Sequence, residues 1–135
     1  MGASLFQPLR DALSPRHRFV AIQHNGKMLA SDVLWARSVF ERGRGLLGTR
    51  ELAPGQDGCL LDPCRQIHCR GMRYPIDTIH LDENGTVVGL EYVDVGKTGS
   101  RFTGSRSILE LAAGEIERCG VRVGDTLSFR PARIG

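Results

Sequence analysis

Between Cys59 and Asp82 the sequence CLLDPCRQIHCRGMRYPIDTIHLD gathers three of the chain's four cysteines and two of its four histidines. Three chemistries are open to such a group. The spacing Cys59-x4-Cys64-x4-Cys69, with His68 and His80 nearby, supplies sulfur and nitrogen ligands of the kind zinc takes. It is not the C-x2-C spacing of a zinc knuckle, however, and strand alternation sends His68 and Cys69 to opposite faces. Cysteines packed as small hydrophobes beside a hydrogen-bonded histidine therefore outweigh a metal site. A cysteine nucleophile needs a lowered thiol pKa and a base within reach. Cys64 with His68, the imidazole oriented by Asp77, would supply both, although no flanking motif matches a known nucleophile turn. A Cys64–Cys69 or Cys59–Cys119 disulfide would require an oxidising compartment.

A second constellation is polar. Asp77 lies between Ile76 and Ile79 in an apolar strand pattern, and a buried carboxylate needs a partner, for which Arg or His is expected. His68, Met72, Arg73 and Asp77, edged by Arg42 and Arg50, would line a groove for a small anion or a peptide strand. The structural alternative is an ion pair that knits a helix to the sheet. Arg101 and Phe102, in the loop GKTGSRFTGS, offer a guanidinium and a ring that could stack on a base or sugar. GKTGS lacks the spacing of a phosphate-binding loop.

The elements that must position these residues follow from local pattern. Residues 1–17 read as an N-terminal arm and residues 18–130 as one compact β-rich domain. A hairpin over 18–35 turns at Asn25-Gly26, where both residues tolerate positive φ. Residues 36–48 read as the principal helix, with Gly43 and Gly45 each costing roughly 1 kcal/mol of helicity. Cys59–Leu61 is a short strand, and 66–70 is expected to be another. The clearest element is a hairpin over 75–95, in which Ile76, Thr78 and His80 alternate with Asp77, Ile79 and Leu81 before the Asp82–Gly85 turn. Residues 106–111 form a strand, 112–120 a short helix ended by Gly120, and 125–129 a last strand. About seven short strands whose helices do not alternate with them exclude a doubly wound sheet. The expected fold is mainly β: a small antiparallel, barrel-like or folded sheet.

At 135 residues the chain fits a single domain. Its formal charge of +3, carried mostly by arginine, is too small to imply nucleic acid by itself. No apolar run reaches the roughly 20 residues of a membrane-spanning helix. No secretory signal is visible, and the cytoplasm is the expected location.

Several separated motifs together resemble domain-of-unknown-function family 192: ERGRGLLGTREL (Glu41–Leu52), GCLL (Gly58–Leu61), IHCRGMRYPIDTIHLDENGTVV (Ile67–Val88) and ILELAAG with GVRVGDTL (Ile108–Leu127). The central run, with His68, Met72, Pro75, Ile76, Asp77 and Asp82, is the specific part. The resemblance implies a compact β-rich domain of bacterial and archaeal distribution with no established activity. It also implies export for many members, from which a chain without a visible signal departs. Cys69 stands where the family commonly has threonine, which weighs against a shared cysteine chemistry. The leading expectation is thus a binding or accessory domain without a metal or cofactor, its partner a small anion or peptide. The alternatives are a small hydrolase using His68 with Asp77 or Cys64, and a metal-binding protein using Cys59, Cys64 and His68.

Overall fold

The computed structural model describes residues 18–36, 51–67 and 74–132. They form seven strands and one short helix. The strands are β1 (Arg18–Gln23), β2 (Met28–Ala36), β3 (Asp57–Leu61), β4 (Ile76–Leu81), β5 (Val87–Val93), β6 (Ser107–Ala112) and β7 (Leu127–Pro131), with α1 (Glu115–Cys119) between the last two. The sheet order is β5-β4-β6-β3-β2-β1-β7. Every pairing is antiparallel except β2 with β3.

Both expected hairpins form, for local reasons. Gly26 takes φ 84° between β1 and β2. Between β4 and β5, Gly85 takes φ 81°, and the Asp82 carboxylate accepts the Asn84 and Thr86 amides at 2.8 and 2.9 Å. This is the Asx-type turn that aspartate favours. At the open side of the sheet, a bridge joins Thr86 to Thr126. The Val87 amide donates to Asp125 O at 2.7 Å and the Gly124 amide to Val87 O at 2.8 Å. The two edge strands therefore meet at one end, and the sheet curls into a half-barrel.

Side-chain alternation divides the interior. Phe19, Val33, Leu60, Ile79, Leu81, Leu109 and Leu111 pack in one core, closed by Ile116 and Cys119 of α1. Cys59, Leu61, Tyr74, Ile76, Ile108 and Ala112 pack in a second core on the other face. β3, β4 and β6 are consequently buried along their whole length.

Two expectations are corrected. Ala36, assigned to the helix, ends β2; the remainder of that helix, residues 37–48, lies outside the described residues. Gln66 and Ile67, expected to begin a strand, are irregular. Their hydrogen-bonding groups turn to the 94–106 loop instead: the Gln66 side-chain amide donates to Gly99 O at 3.0 Å, and the Gly99 amide donates to Ile67 O at 2.7 Å.

A candidate anion-binding cleft

Two loops, 62–67 and 94–106, are bonded to each other, and the 82–86 turn stands across a cleft from them. Asp62 is buried; it accepts the Ser107 hydroxyl at 2.7 Å and faces Arg106 Nε at 3.6 Å. The Cys64 amide donates to Arg106 O at 2.8 Å. In the long loop, the Ser100 amide and hydroxyl donate to the two carboxylate oxygens of Glu91 at 2.7 and 2.6 Å. A turn then closes from the Ser105 amide to Phe102 O at 3.0 Å, and the Arg106 amide donates to Leu81 O at 2.8 Å.

Between these loops lies an open cleft of about 760 Å³, into which Arg65, Arg101, Arg106, Asp82, Glu83 and Asn84 project. The charges on its walls are unequally compensated. Arg106 pairs with Asp62. Arg101 Nε donates to the neutral amide of Gln66 at 3.2 Å, and Arg65 is exposed. Among the described residues neither Arg65 nor Arg101 has an ion-pair partner. On the opposite wall, the Asp82 carboxylate is already engaged by the turn amides. The cleft thus presents guanidinium groups in the planar, forked geometry that matches carboxylate and phosphate oxygens.

Ser105 lines this cleft, and His80 packs behind it. His80, from β4, is 1% exposed, and Ser105 is 4% exposed. His80 Nδ1 lies 3.3 Å from Ser105 Oγ. Burial lowers the imidazole pKa, opposed by the field of Glu91 on β5, so the ring is neutral at pH 7. The Phe102 ring lies against it, with centroids 4.4 Å apart and planes tilted by 56°. The same ring rests on Gly89: a Cβ there would come within 2.2 Å of it. Phe102 is therefore committed to packing and is not the free stacking platform that its loop suggested.

Asp77 lies in a different place. It is buried at the edge of the first core, where its Oδ2 accepts the amides of Gly114 and Ile116 at 3.0 and 2.9 Å. Burial raises its pKa, while those amide bonds act in the other direction. The expected Arg or His partner is replaced, among the described residues, by the amides at the start of α1. A groove of about 410 Å³, lined in part by Leu90, Tyr92 and Ile116, runs beside it. Of the other residues expected to form the site, Arg42, Arg50, His68, Met72 and Arg73 lie outside the described residues, so their juxtaposition with Asp77 remains an expectation.

The cysteines are dispersed. Cys59 belongs to the second core and Cys119 to the first, on opposite sides of the sheet, which separates the pair considered for a disulfide. Cys59, Cys64 and Cys119 are not joined in disulfides, and the Cys64 Sγ donates to Gln66 O at 3.3 Å. Among the described residues no three His, Cys, Asp or Glu side chains are grouped to hold a metal ion; His68 and Cys69 lie outside them. No helix among the described residues is long and apolar enough to cross a membrane.

Glu110 had no sequence signal. It is 1% exposed on β6, level with Cys59 and Thr78 across the sheet, and its Oε2 has no hydrogen-bond partner among the described residues. Burial pushes its pKa up to about 8.

A model of domain-of-unknown-function family 192, described as an uncharacterised ACR, matches residues 20–129. No curated protein matches the chain. Among solved structures, one from Sinorhizobium meliloti 1021, described as a candidate transcription regulator, is 26% identical; the match covers 84% of this chain and 92% of that one, with a TM-score of 0.66. A protein of unknown function from Novosphingobium aromaticivorans DSM 12444 is similar in fold, with 18% identity, coverage of 87% and 94%, and a TM-score of 0.63.

Proposed function

The chain belongs to domain-of-unknown-function family 192, and from the cleft we propose that it is a binding domain for a small anionic ligand or the anionic end of a peptide. The observation that carries this reading is the pair Arg65 and Arg101, which line one cleft without carboxylate partners among the described residues. Unpaired guanidiniums on a surface are ordinary; two that share one wall of a concavity, with Asp82 and Glu83 on another, form a forked donor set that suits a carboxylate or phosphate placed against that wall. The volume is within the range of small-molecule sites. Because both groups are solvated, the affinity belongs in the roughly micromolar to millimolar range, about −8 to −4 kcal/mol. The reading takes no nucleic acid and no cofactor. It is compatible with the cytoplasm, where Cys59, Cys64 and Cys119 would stay reduced.

Amide chemical shifts during titration with inorganic phosphate and with citrate test this reading. Saturable shifts are expected at 63–66 and 101–106, weakened at least tenfold in the Arg65→Ala/Arg101→Ala variant. Unchanged binding by that variant, or shifts confined to the flank of Asp77, would move the site to the groove expected around Arg42, Arg50, His68, Met72 and Arg73.

A further inference from the structure

We propose that Ser105, which lines the arginine cleft, and His80 behind it form a nucleophile–base pair, serving an ester whose acyl part carries an anionic group. This rests on the reading of the cleft as an anion site and adds a reaction to it.

Geometry is the first argument. Twenty-five residues apart in sequence, Ser105 Oγ and His80 Nδ1 stand 3.3 Å apart, near the reach a general base needs before a substrate tightens the site. Ser105 is nearly buried, yet it lines the cleft. The second argument is protonation. A base must be neutral to accept a proton, and the burial of His80 keeps it so. With Nδ1 as the acceptor, the ring proton resides on Nε2.

Rigidity is the third argument. The Ser105 amide is fixed to Phe102 O and the Arg106 amide to Leu81 O. Phe102, seated on Gly89, holds the imidazole from the side. The amides of Thr103 and Gly104, at the centre of the same turn, have no acceptor among the described residues and border the cleft. They are available to a developing oxyanion. A serine that merely satisfied a buried histidine would require none of these cleft-facing features.

In the reaction, Ser105 Oγ attacks the ester carbonyl as His80 Nδ1 takes the hydroxyl proton. The carbon–oxygen bond to the leaving alcohol breaks, and the proton passes from His80 to that alkoxide. Water then attacks the acyl-serine, His80 accepting its proton and returning it to Ser105 Oγ. Ester and water give a carboxylic acid and an alcohol, with no further reactant. Arg65 and Arg101 hold the anionic tail of the acyl group.

The test is labelling of the full chain with a fluorophosphonate, read by intact mass and peptide mapping, together with hydrolysis of p-nitrophenyl hemisuccinate. One adduct on Ser105 is expected, absent in Ser105→Ala. Its rate should fall roughly 10²- to 10⁴-fold in His80→Gln, the usual contribution of a general base. If His80→Gln does not fold, the pH profile of the unaltered protein substitutes: labelling must decline as His80 becomes protonated at acidic pH. A protein that shows phosphate-induced shifts in the cleft but no Ser105 adduct overturns the pair and leaves the anion reading standing. An adduct whose rate is indifferent to His80→Gln and to pH also overturns it. An adduct with hemisuccinate turnover unaffected by Arg65→Ala/Arg101→Ala overturns the anionic ester class, while the anion reading is judged separately by the phosphate shifts.

Discussion

Replacing Glu110 by glutamine should reverse its effect on stability as pH rises. In the folded chain the carboxyl is sealed between β3 and β4, with Oε2 unpartnered among the described residues. Its neighbour Thr78 gives its hydroxyl proton to Glu91 O at 3.0 Å and so has none to donate to a carboxylate there. The folded pKa of about 8, against an ordinary 4.5, makes the proton part of the fold. Below the ordinary value both states are protonated and the contribution is fully present. Between that value and about 8 the unfolded chain loses its proton while the folded chain keeps it. Stability then falls by about 1.4 kcal/mol per pH unit. By the alkaline end the loss is on the order of 5 kcal/mol, comparable to the whole stability of many domains. Glutamine has the same shape and no charge, and costs about 1 kcal/mol for an unpaired N–H. Urea unfolding at pH 5, 7 and 9 should show Glu110→Gln equal or slightly weaker at pH 5 and several kcal/mol stronger at pH 9. Parallel pH profiles for the two proteins would refute the reasoning, since every other titrating group is shared.

Further outcomes follow from specific contacts. Gly89→Ala should displace the Phe102 ring and lower stability by about 1–3 kcal/mol, the usual cost of overpacking; in a thermal-melt cycle with Phe102→Ala most of that loss should disappear. Asp77→Ala should cost about 1–2 kcal/mol through the uncapped amides of Gly114 and Ile116, and Asp77→Asn, which keeps an acceptor oxygen, should cost less. Under native conditions a thiol reagent should modify Cys64 and spare Cys59 and Cys119 until the chain unfolds, as peptide mapping would show.

Much of this fold is local, and local features were legible. Asn25-Gly26 and Asp82–Gly85 announce turns whose requirements are met within four residues, and the alternation of Ile76 to Leu81 names both faces of β4. Strand order is different in kind. The parallel pairing of β2 with β3, and the placement of β6 between β3 and β4, depend on burying two faces at once, and no short window encodes that. The same double burial hides Glu110: in ILELA a glutamate reads as the polar phase of a half-exposed strand, and β6 has no polar phase. Asp77 was readable as buried, but its partners are backbone amides, which have no residue signature. Arg101 was visible as a cation in a flexible-looking loop. Its companions Arg65 and Arg106 come from separate stretches that only the folded loops unite, and Phe102 could not be seen as packed without knowing that Gly89 lies beneath it.

The Thr86–Thr126 bridge has a consequence for how this molecule meets other copies of itself. An open sheet offers two rows of unsatisfied amides and carbonyls that any extended chain can zip onto, the usual seed of aggregation. Here the first residues of β5 and β7 satisfy part of that demand mutually. The far end of β7 is blunted by the exposed Arg130 and by Pro131, which has no amide to offer. Among the described residues, the stretch of β5 from Gly89 to Val93 is left as an edge open to strand addition, so a single charged or proline substitution there should reduce self-association.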